Sequence, residues 1–388
     1  MSMDDLFTAV NVCRTWTLTS YGKDNKQNYD DGMLFTVMSY NILAQDLLES
    51  NMFLYEHCSP ECLTWEYRKN NLLKEIRKAA VDVICFQEVQ VNHYHMFWKP
   101  QLMRNGYQGV FKKRTEGKTD GCAIFFKTKL FSIEKCIPVE FYKPRISKLL
   151  DKDNIGLIVV LRPVIGVSSD YSGSLVIANT HLLYNPVRGD IKLAQLCLFL
   201  SEIDKAAYRG LSKRSKRPMY NPIIFCGDLN LIPNSPLYTL IVKGELWFNG
   251  LLAGDMSGQE FGAGKGRRLG SINLPGPDES TPEKACHLLN LLSVYNYESP
   301  EEEKKVTTFN NNNTSQSVDF IFYSVEDKLS ILHKGKVYHE HANEKSLKLI
   351  AHYNLLTHQQ LKSTGGLPNF QNSSDHLPLL AKFLLRDL

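Results

Sequence analysis

Runs of β-branched and aromatic residues, each of strand length, recur along the whole chain: FTVMSYNI (35–42), VDVICFQEV (81–89), GCAIFFK (121–127), NIGLIVVLR (154–162), LVIANTHL (175–182), PIIFCGDLN (222–230), VDFIFYS (318–324) and PLLAKFLL (378–385). In many of them the apolar residues are consecutive rather than alternating, the pattern of strands buried on both faces. Sheets built from such strands need cover on each side, and helices are the natural cover. The runs therefore predict an α/β fold. Helical segments do fall between them. In VRGDIKLAQLCLFLSEIDKAAYRG (187–210), Leu193, Leu196, Cys197 and Leu200 repeat at the spacing of one helix face. In TWEYRKNNLLKEIRKAA (64–80), Leu72, Ile76, Ala79 and Ala80 do the same, and Thr64 is placed to cap.

The 388-residue chain is 43% hydrophobic and 22% charged, which suits a folded globular protein. No stretch approaches the roughly 20 apolar residues that span a bilayer. The start, MSMDDLFTAV, lacks the basic and apolar regions of a signal peptide. The expectation is a soluble intracellular protein, cytoplasmic with the nucleus as a further compartment, with no membrane partner and with a monomer favoured. The 9 cysteines are scattered, and Cys85, Cys122 and Cys226 lie inside apolar runs, so they read as reduced core residues. HCSPEC, with His57, Cys58 and Cys62, is too loosely spaced and lacks a second half for a structural metal site. A net charge of +4 is too small for a chain that coats phosphate backbone along its length. Any nucleic-acid contact must be local. The basic run LSKRSKRPM (211–219) reads as a solvated loop, an RNA-facing patch or a nuclear signal.

Glycine, proline and polar residues dominate near 250–285, 298–317 and 333–374, which predicts loop insertions. The core resumes after each. The predicted organisation is one domain over 33–388 carrying these insertions, preceded by an N-terminal extension over 1–32.

Asn41, Glu88, His181, Asp228, Asn230, Asp319 and His376 each fall within or just beyond an apolar run. A single polar residue there is an ordinary cap or turn, but strand ends gathered on one edge pool their side chains into a site. SYNIL, FQEV, NTHLLYN, CGDLN, VDFIFYS and SSDHLPL, in that order, resemble the endonuclease/exonuclease/phosphatase superfamily. GYQGVFKKRTEGKTDGCAIFFK further resembles its deadenylase-like branch, which includes nocturnin, and within that branch the chain is similar to the Angel group. The resemblance implies a four-layer α/β sandwich, two mixed β-sheets flanked by helices, with divalent-metal phosphoesterase chemistry on RNA 3' ends, of tRNA or mRNA. It implies hydrolysis of a terminal 2',3'-cyclic phosphate to the diol. A 3'-to-5' poly(A) exoribonuclease, or an inactive RNA-binding scaffold, is the alternative.

Water attacking a phosphodiester must approach a negative phosphate and expel an oxyanion, which divides the work among the candidates. A hard cation held by carboxylate and amide oxygens neutralises charge; Glu88 and Asn41 fit Mg2+, with Mn2+ as the alternative ion. A salt bridge to a lysine would also account for Glu88. Asp228 fits the acceptor of the water's proton. Asn230, two residues on along an extended chain, fits positioning of water or phosphate, or else an Asx turn. His376 and His181 fit donors to the charged oxygens, with Asp319 orienting His376, and Asp375 serves the turn or a metal's outer shell. By resemblance Pro186 and Phe309 grip a terminal base, although loop packing would equally account for them. Lys112, Lys113 and Arg114 are candidates for phosphate contact. NNNNTSQS (310–317) is a departure from the deadenylases at the rim.

Overall fold

The apolar runs become strands. The computed structural model describes residues 14–24, 32–164, 173–213, 216–275, 280–297, 300–309, 315–333 and 336–386. In chain order the strands of its two large sheets are β1 (Trp16–Leu18), β2 (Met33–Asn41), β3 (Val83–Gln87), β4 (Tyr107–Lys113), β5 (Gly121–Lys127), β6 (Phe131–Glu140), β7 (Ile155–Pro163), β8 (Leu175–His181), β9 (Ile223–Asp228), β10 (Leu291–Ser293), β11 (Asp319–Ser324), β12 (Leu347–Tyr353) and β13 (Leu379–Leu385). A 7-stranded sheet has the order β1-β12-β13-β2-β3-β5-β4, and a 6-stranded sheet the order β10-β11-β9-β8-β7-β6. Both are mixed: β2 and β3 run parallel, as do β8 and β9, amid antiparallel neighbours.

Alternation along each strand explains the two-sided burial. Phe35, Val37, Val83 and Cys85 belong to the core between the sheets, whereas Met38, Tyr40, Ile84 and Phe86 belong to the core outside the first sheet. Helix α1 (Trp65–Ala79) covers that outer face with Leu72, Leu73 and Ile76. Each such side chain contributes about 1.5–3 kcal/mol on burial. Thr64 caps it by accepting from the Tyr67 amide at 3.3 Å, and Ala80 ends it in the left-handed conformation. Ala80 is therefore exposed and Ala79 half-buried, so the apolar face is narrower than the spacing suggested.

Helices α2 (Gly189–Ala207) and α3 (Pro236–Lys243) cover the second sheet, where Phe199 packs edge-on to Phe225. The layers are helix, sheet, sheet, helix. From Gly189 to Leu200 helix α2 is buried on every side, including Asp190, Lys192 and Gln195. The described part of segment 250–285 closes over it. A Cβ on Gly189 would lie 2.4 Å from the Ala253 carbonyl oxygen, so only glycine admits that approach.

Two predicted boundaries shift. Strand β1 lies in the segment assigned to an N-terminal extension, yet pairs with β12, and buried Arg14 donates to the Asn354 and Pro378 carbonyls at 2.7 and 2.6 Å. Strand β12 itself lies in the segment read as an insertion over 333–374. Its half-buried Lys348 and His352, and the polar residues around it, disguise an inner strand. Residues 310–314 of the polar rim and Arg214 and Ser215 of the basic loop lie outside the described residues. Among the described residues no helix is long and apolar enough to cross a membrane.

Candidate active site

Strand register brings the candidate residues to one level. Asp228 lies directly opposite His181 across the β9–β8 pair and directly opposite Asp319 across the β9–β11 pair. Facing them, β2 and β3 end in the paired residues Asn41 and Gln87, with Glu88 next. Beneath this level the sheets are joined by amides. Gln87 donates to Asn179 Oδ1 at 2.7 Å, and Asn179 donates to the Phe86 and Ala123 carbonyls at 2.9 and 3.1 Å.

Asn41 links the two sheets at the site. Its amide nitrogen donates to Glu88 Oε1 and to Asp228 Oδ2, each at 3.0 Å, while its Oδ1 accepts from the Leu43 amide at 3.0 Å. Glu88 Oε2 accepts from the Ala44 amide at 3.0 Å. The expectation that Asn41 offers oxygen to a cation thus meets a different arrangement: its nitrogen faces the carboxylates. Leu43, Glu88 and Asn230 all adopt positive φ, at 57°, 55° and 49°. Conformations of this kind cost of order 1–3 kcal/mol each, and these carboxylate and amide bonds to the backbone hold them.

Asn230 also departs from the extended geometry expected. The strand stops at Asp228, whose Oδ1 accepts from the Asn230 amide at 3.1 Å, so the acid itself closes the turn. The Asn230 side chain donates to the Leu182 carbonyl at 3.2 Å. Asp228 Oδ2 remains toward the histidines, 3.5 Å from His181 Nε2 and 3.7 Å from His376 Nε2. His376 Nδ1 lies 2.8 Å from Asp319 Oδ2, which also accepts from the Thr307 hydroxyl at 2.5 Å. Burial alone would lower the His376 pKa, but Asp319 and then Asp375 outweigh it and hold it well above the ordinary 6.5. An imidazolium paired with Asp319 is the state this geometry favours.

Glu88, Arg114, His181, Pro186, Asp228, Asn230, Phe309 and His376 line one cavity of about 460 Å³, with buried Asn41 and Asp319 behind it. Of the three basic candidates Arg114 is the one that lines it, held by Asp120 at 3.2 Å. Lys112 pairs with Glu140, and Lys113 donates to the Glu116 and Lys118 carbonyls. Phe309 both lines the cavity and packs, its ring stacked on His358 at 5.7 Å. Asp375 accepts from the Tyr55 hydroxyl at 3.0 Å.

Other supports had no signal in the sequence. Buried Arg68 on α1 donates to the Ile42, Leu43 and Ser373 carbonyls at 2.7, 2.6 and 2.8 Å, fixing the turn beside Asn41. Buried Lys192 on α2 donates to the Asn230 carbonyl at 2.5 Å and to Gln259 at 2.7 Å. Burial pulls the pKa of that lysine down to about 7, with Asp228 opposing. Neither shows in an apolar-periodicity count, since each is a long cation on a helix with a buried face. Thr307, by contrast, stands two residues before Phe309 and could have been found with it.

Among the described residues, Asp228, Asp319 and His376 bring potential ligand atoms within 4.8 Å of one another. A cation there would face the imidazolium and compete with it for Asp319, so this trio is better read as an acid–base cluster. Glu88 is the more open donor. It is half-buried, lines the cavity, and each oxygen accepts a single hydrogen bond, which leaves hard oxygen lone pairs for a divalent ion. Cys58 and Cys62 bond locally, to His57 at 3.4 Å and to the Ser59 carbonyl at 3.1 Å.

Comparison with known proteins shows what the chain is similar to. The model of the Endonuclease/Exonuclease/phosphatase family matches residues 38–376. Protein angel homolog 2 of Homo sapiens is 41% identical over 401 residues, covering 94% of this chain and 71% of that protein. Its Bos taurus counterpart is 42% identical over 389 residues, covering 90% and 69%. A crystal structure of ANGEL2, a 2',3'-cyclic phosphatase, in complex with adenosine-2',3'-vanadate is 41% identical, covers 96% of this chain and 99% of its own, and superposes with a TM-score of 0.79. The human Nocturnin catalytic domain, 22% identical with a TM-score of 0.56 over 97% of this chain and 98% of its own, shares the fold.

Proposed function

This chain belongs to the endonuclease/exonuclease/phosphatase family, and from that membership we propose that it is a metal-dependent RNA 3'-end phosphoesterase that converts a terminal 2',3'-cyclic phosphate to the 2',3'-diol. The observation that carries the reading is Asp228, placed where the ends of the two sheets meet, joined through Asn41 to Glu88 and set within 3.7 Å of both His181 and His376. The kinship with ANGEL2, a 2',3'-cyclic phosphatase solved with adenosine-2',3'-vanadate, selects the cyclic end from among phosphoesters.

The reaction takes two hydrolyses. In the first, water gives a proton to Asp228 and forms a bond to phosphorus as one ring P–O bond breaks; the departing ribose oxygen takes a proton from solvent and Asp228 releases its own there, leaving a monoester. In the second, the remaining P–O bond breaks in the same way and inorganic phosphate leaves. Protonated His376 donates to phosphoryl oxygens as charge develops on them, and His181 stands beside it as a second donor. Arg114 stands at the same cavity with a fixed positive charge. Asn41 aims the Glu88 and Asp228 carboxylates. Mg2+, or Mn2+ in its place, held by Glu88 would neutralise phosphate charge and acidify water.

A 3'-to-5' poly(A) exonuclease is the second reading, favoured by Pro186 and Phe309 lining the same cavity as the acid. The two separate on one RNA oligomer prepared with hydroxyl, 3'-phosphate, 2'-phosphate and cyclic ends. Gel and mass analysis should show a diol replacing the cyclic end only when a divalent ion is supplied, with hydroxyl-ended poly(A) left intact. A ladder of shortened poly(A) beside an untouched cyclic end overturns the assignment.

A further inference from the structure

A second cavity of about 600 Å³ opens beside the first, lined by Lys148, Val187, Arg188, Arg267, Ser271 and Asn273 among others. The two share a wall. Pro186 lines the catalytic cavity, and the next residues, Val187 and Arg188, line its neighbour.

Its charge is unbalanced. Buried Asp190 serves two guanidinium groups, Arg188 at 3.0 Å and Arg267 at 3.2 Å. Arg188 takes the carboxylate through two nitrogens, whereas Arg267 reaches it through Nε, so the terminal nitrogens of Arg267 stay toward solvent, its side chain 61% exposed. Lys148 is exposed and has no ion pair among the described residues. Nearby Asp151, which also acts on Arg188, is matched by Lys152 at 3.4 Å. Among the described residues positive charge is left in excess in a concave site, the setting in which a phosphodiester is recognised by charge-assisted hydrogen bonds.

Tyr184, two residues before Pro186, lines the catalytic cavity and is 69% exposed, which offers a flat face for a base. A strand whose last nucleotide sits against Pro186 can stack its penultimate base there and pass its backbone over Arg188.

We propose that this cleft is a binding subsite for the phosphodiester backbone of single-stranded RNA immediately 5' of the terminal nucleotide. The subsite makes the enzyme prefer oligonucleotides to mononucleosides. This rests on the phosphoesterase reading of the neighbouring cavity. Rates on adenosine 2',3'-cyclic phosphate and on cyclic-ended RNA oligomers of increasing length test it, together with anisotropy titrations of hydroxyl-ended RNA against salt. The rise in kcat/KM should come with the first added nucleotides. Lys148→Gln with Arg267→Gln should remove about tenfold of it and leave the mononucleoside rate unchanged, which also shows that the variant folds. The slope of log Kd against log salt should fall by about 0.7 for each phosphate that the variant no longer neutralises, and Arg267→Lys in place of Arg267→Gln should restore one such step. Equal rates at every length, or an RNA affinity and salt slope unchanged in the variant, overturns the subsite and leaves the phosphoesterase reading standing. Absence of turnover on every cyclic end overturns that reading instead, while the titration still decides whether the cleft binds RNA.

Discussion

Asp228 uses its two carboxylate oxygens differently: Oδ1 closes the turn to Asn230, and Oδ2 faces Asn41 and the histidines. Asp228→Asn keeps an acceptor for the turn but cannot take a proton. Turnover should fall about 10²–10⁴-fold while substrate Kd moves by less than about threefold, measured by single-turnover rates beside binding titrations. A loss confined to affinity would make Asp228 a binding residue. His376 gives a pH prediction. Its folded pKa is raised, so its contribution to stability is complete below the ordinary 6.5 and is lost as pH rises through the folded value. Asp319→Asn removes the main partner that sustains the proton, so the alkaline limb of the kcat/KM profile should move to lower pH; a limb that stays in place assigns it to another group. At this scale the sequence was informative about residue type and silent about direction. GDLN and SDH sit at strand ends, but nothing in the sequence placed the Asn41 nitrogen toward the acids. Nor did it announce left-handed conformations at Leu43 and Glu88, residues that disfavour them.

Strands carried the most legible signal, because two-sided burial writes consecutive apolar residues, and each of the quoted runs became a strand in β2, β3, β5, β7, β8, β9, β11 or β13. Strands with one wet face were harder. In β4, Gln108, Lys112 and Lys113 interrupt the pattern, and in β6 the exposed positions alternate with partly buried Ile133 and Ile137. Polar residues inside the runs were the other blind spot. Asn179 within LVIANTHL looks like a defect in an apolar strand, yet its amide ties β8 to the facing strands β3 and β5 directly below the site. Asn179→Leu keeps a similar volume and leaves two carbonyls and the Gln87 amide short of a partner. Each unsatisfied group costs about 1–3 kcal/mol, so the unfolding free energy from urea titration should fall by roughly 2 kcal/mol or more, with a lower midpoint and an unchanged m-value. Turnover should drop as well, since Asn41 and Asp228 face each other across that same junction. A variant as stable and active as the parent would show that the sheets hold their register by apolar packing alone.

Across the whole molecule, one domain with insertions is what the chain suggested, and the points of departure lie where distant segments complete the core. The segments near 298–317 and 333–374 pair with each other through Lys305–Val306 and Leu356–Thr357, a pairing no local pattern reports. Residues before Met33 behave likewise. Arg14 is buried against the Tyr353 ring at 4.6 Å, and its guanidinium holds the Pro378 carbonyl at the entry to β13, two residues beyond His376. A lone basic residue far from its acceptors in sequence cannot be read as a clamp, but the structure makes the cost of removing it calculable. Hydrogen bonds from a charged group contribute about 1.5–3 kcal/mol each, and the ring contact adds about 1–2 kcal/mol. Arg14→Gln should therefore lower unfolding stability by roughly 3 kcal/mol or more, because the shorter neutral side chain strands both carbonyls. Catalysis should suffer far less, with kcat within about threefold of the parent, since β2, β3, β8 and β9 still carry Asn41, Glu88, His181 and Asp228. Removing residues through Leu18 goes further, exposing β12 as a free edge able to pair with another copy. Urea unfolding and light scattering on both variants check the argument. Parental stability in Arg14→Gln would mean that β1 rests on the sheet without securing it.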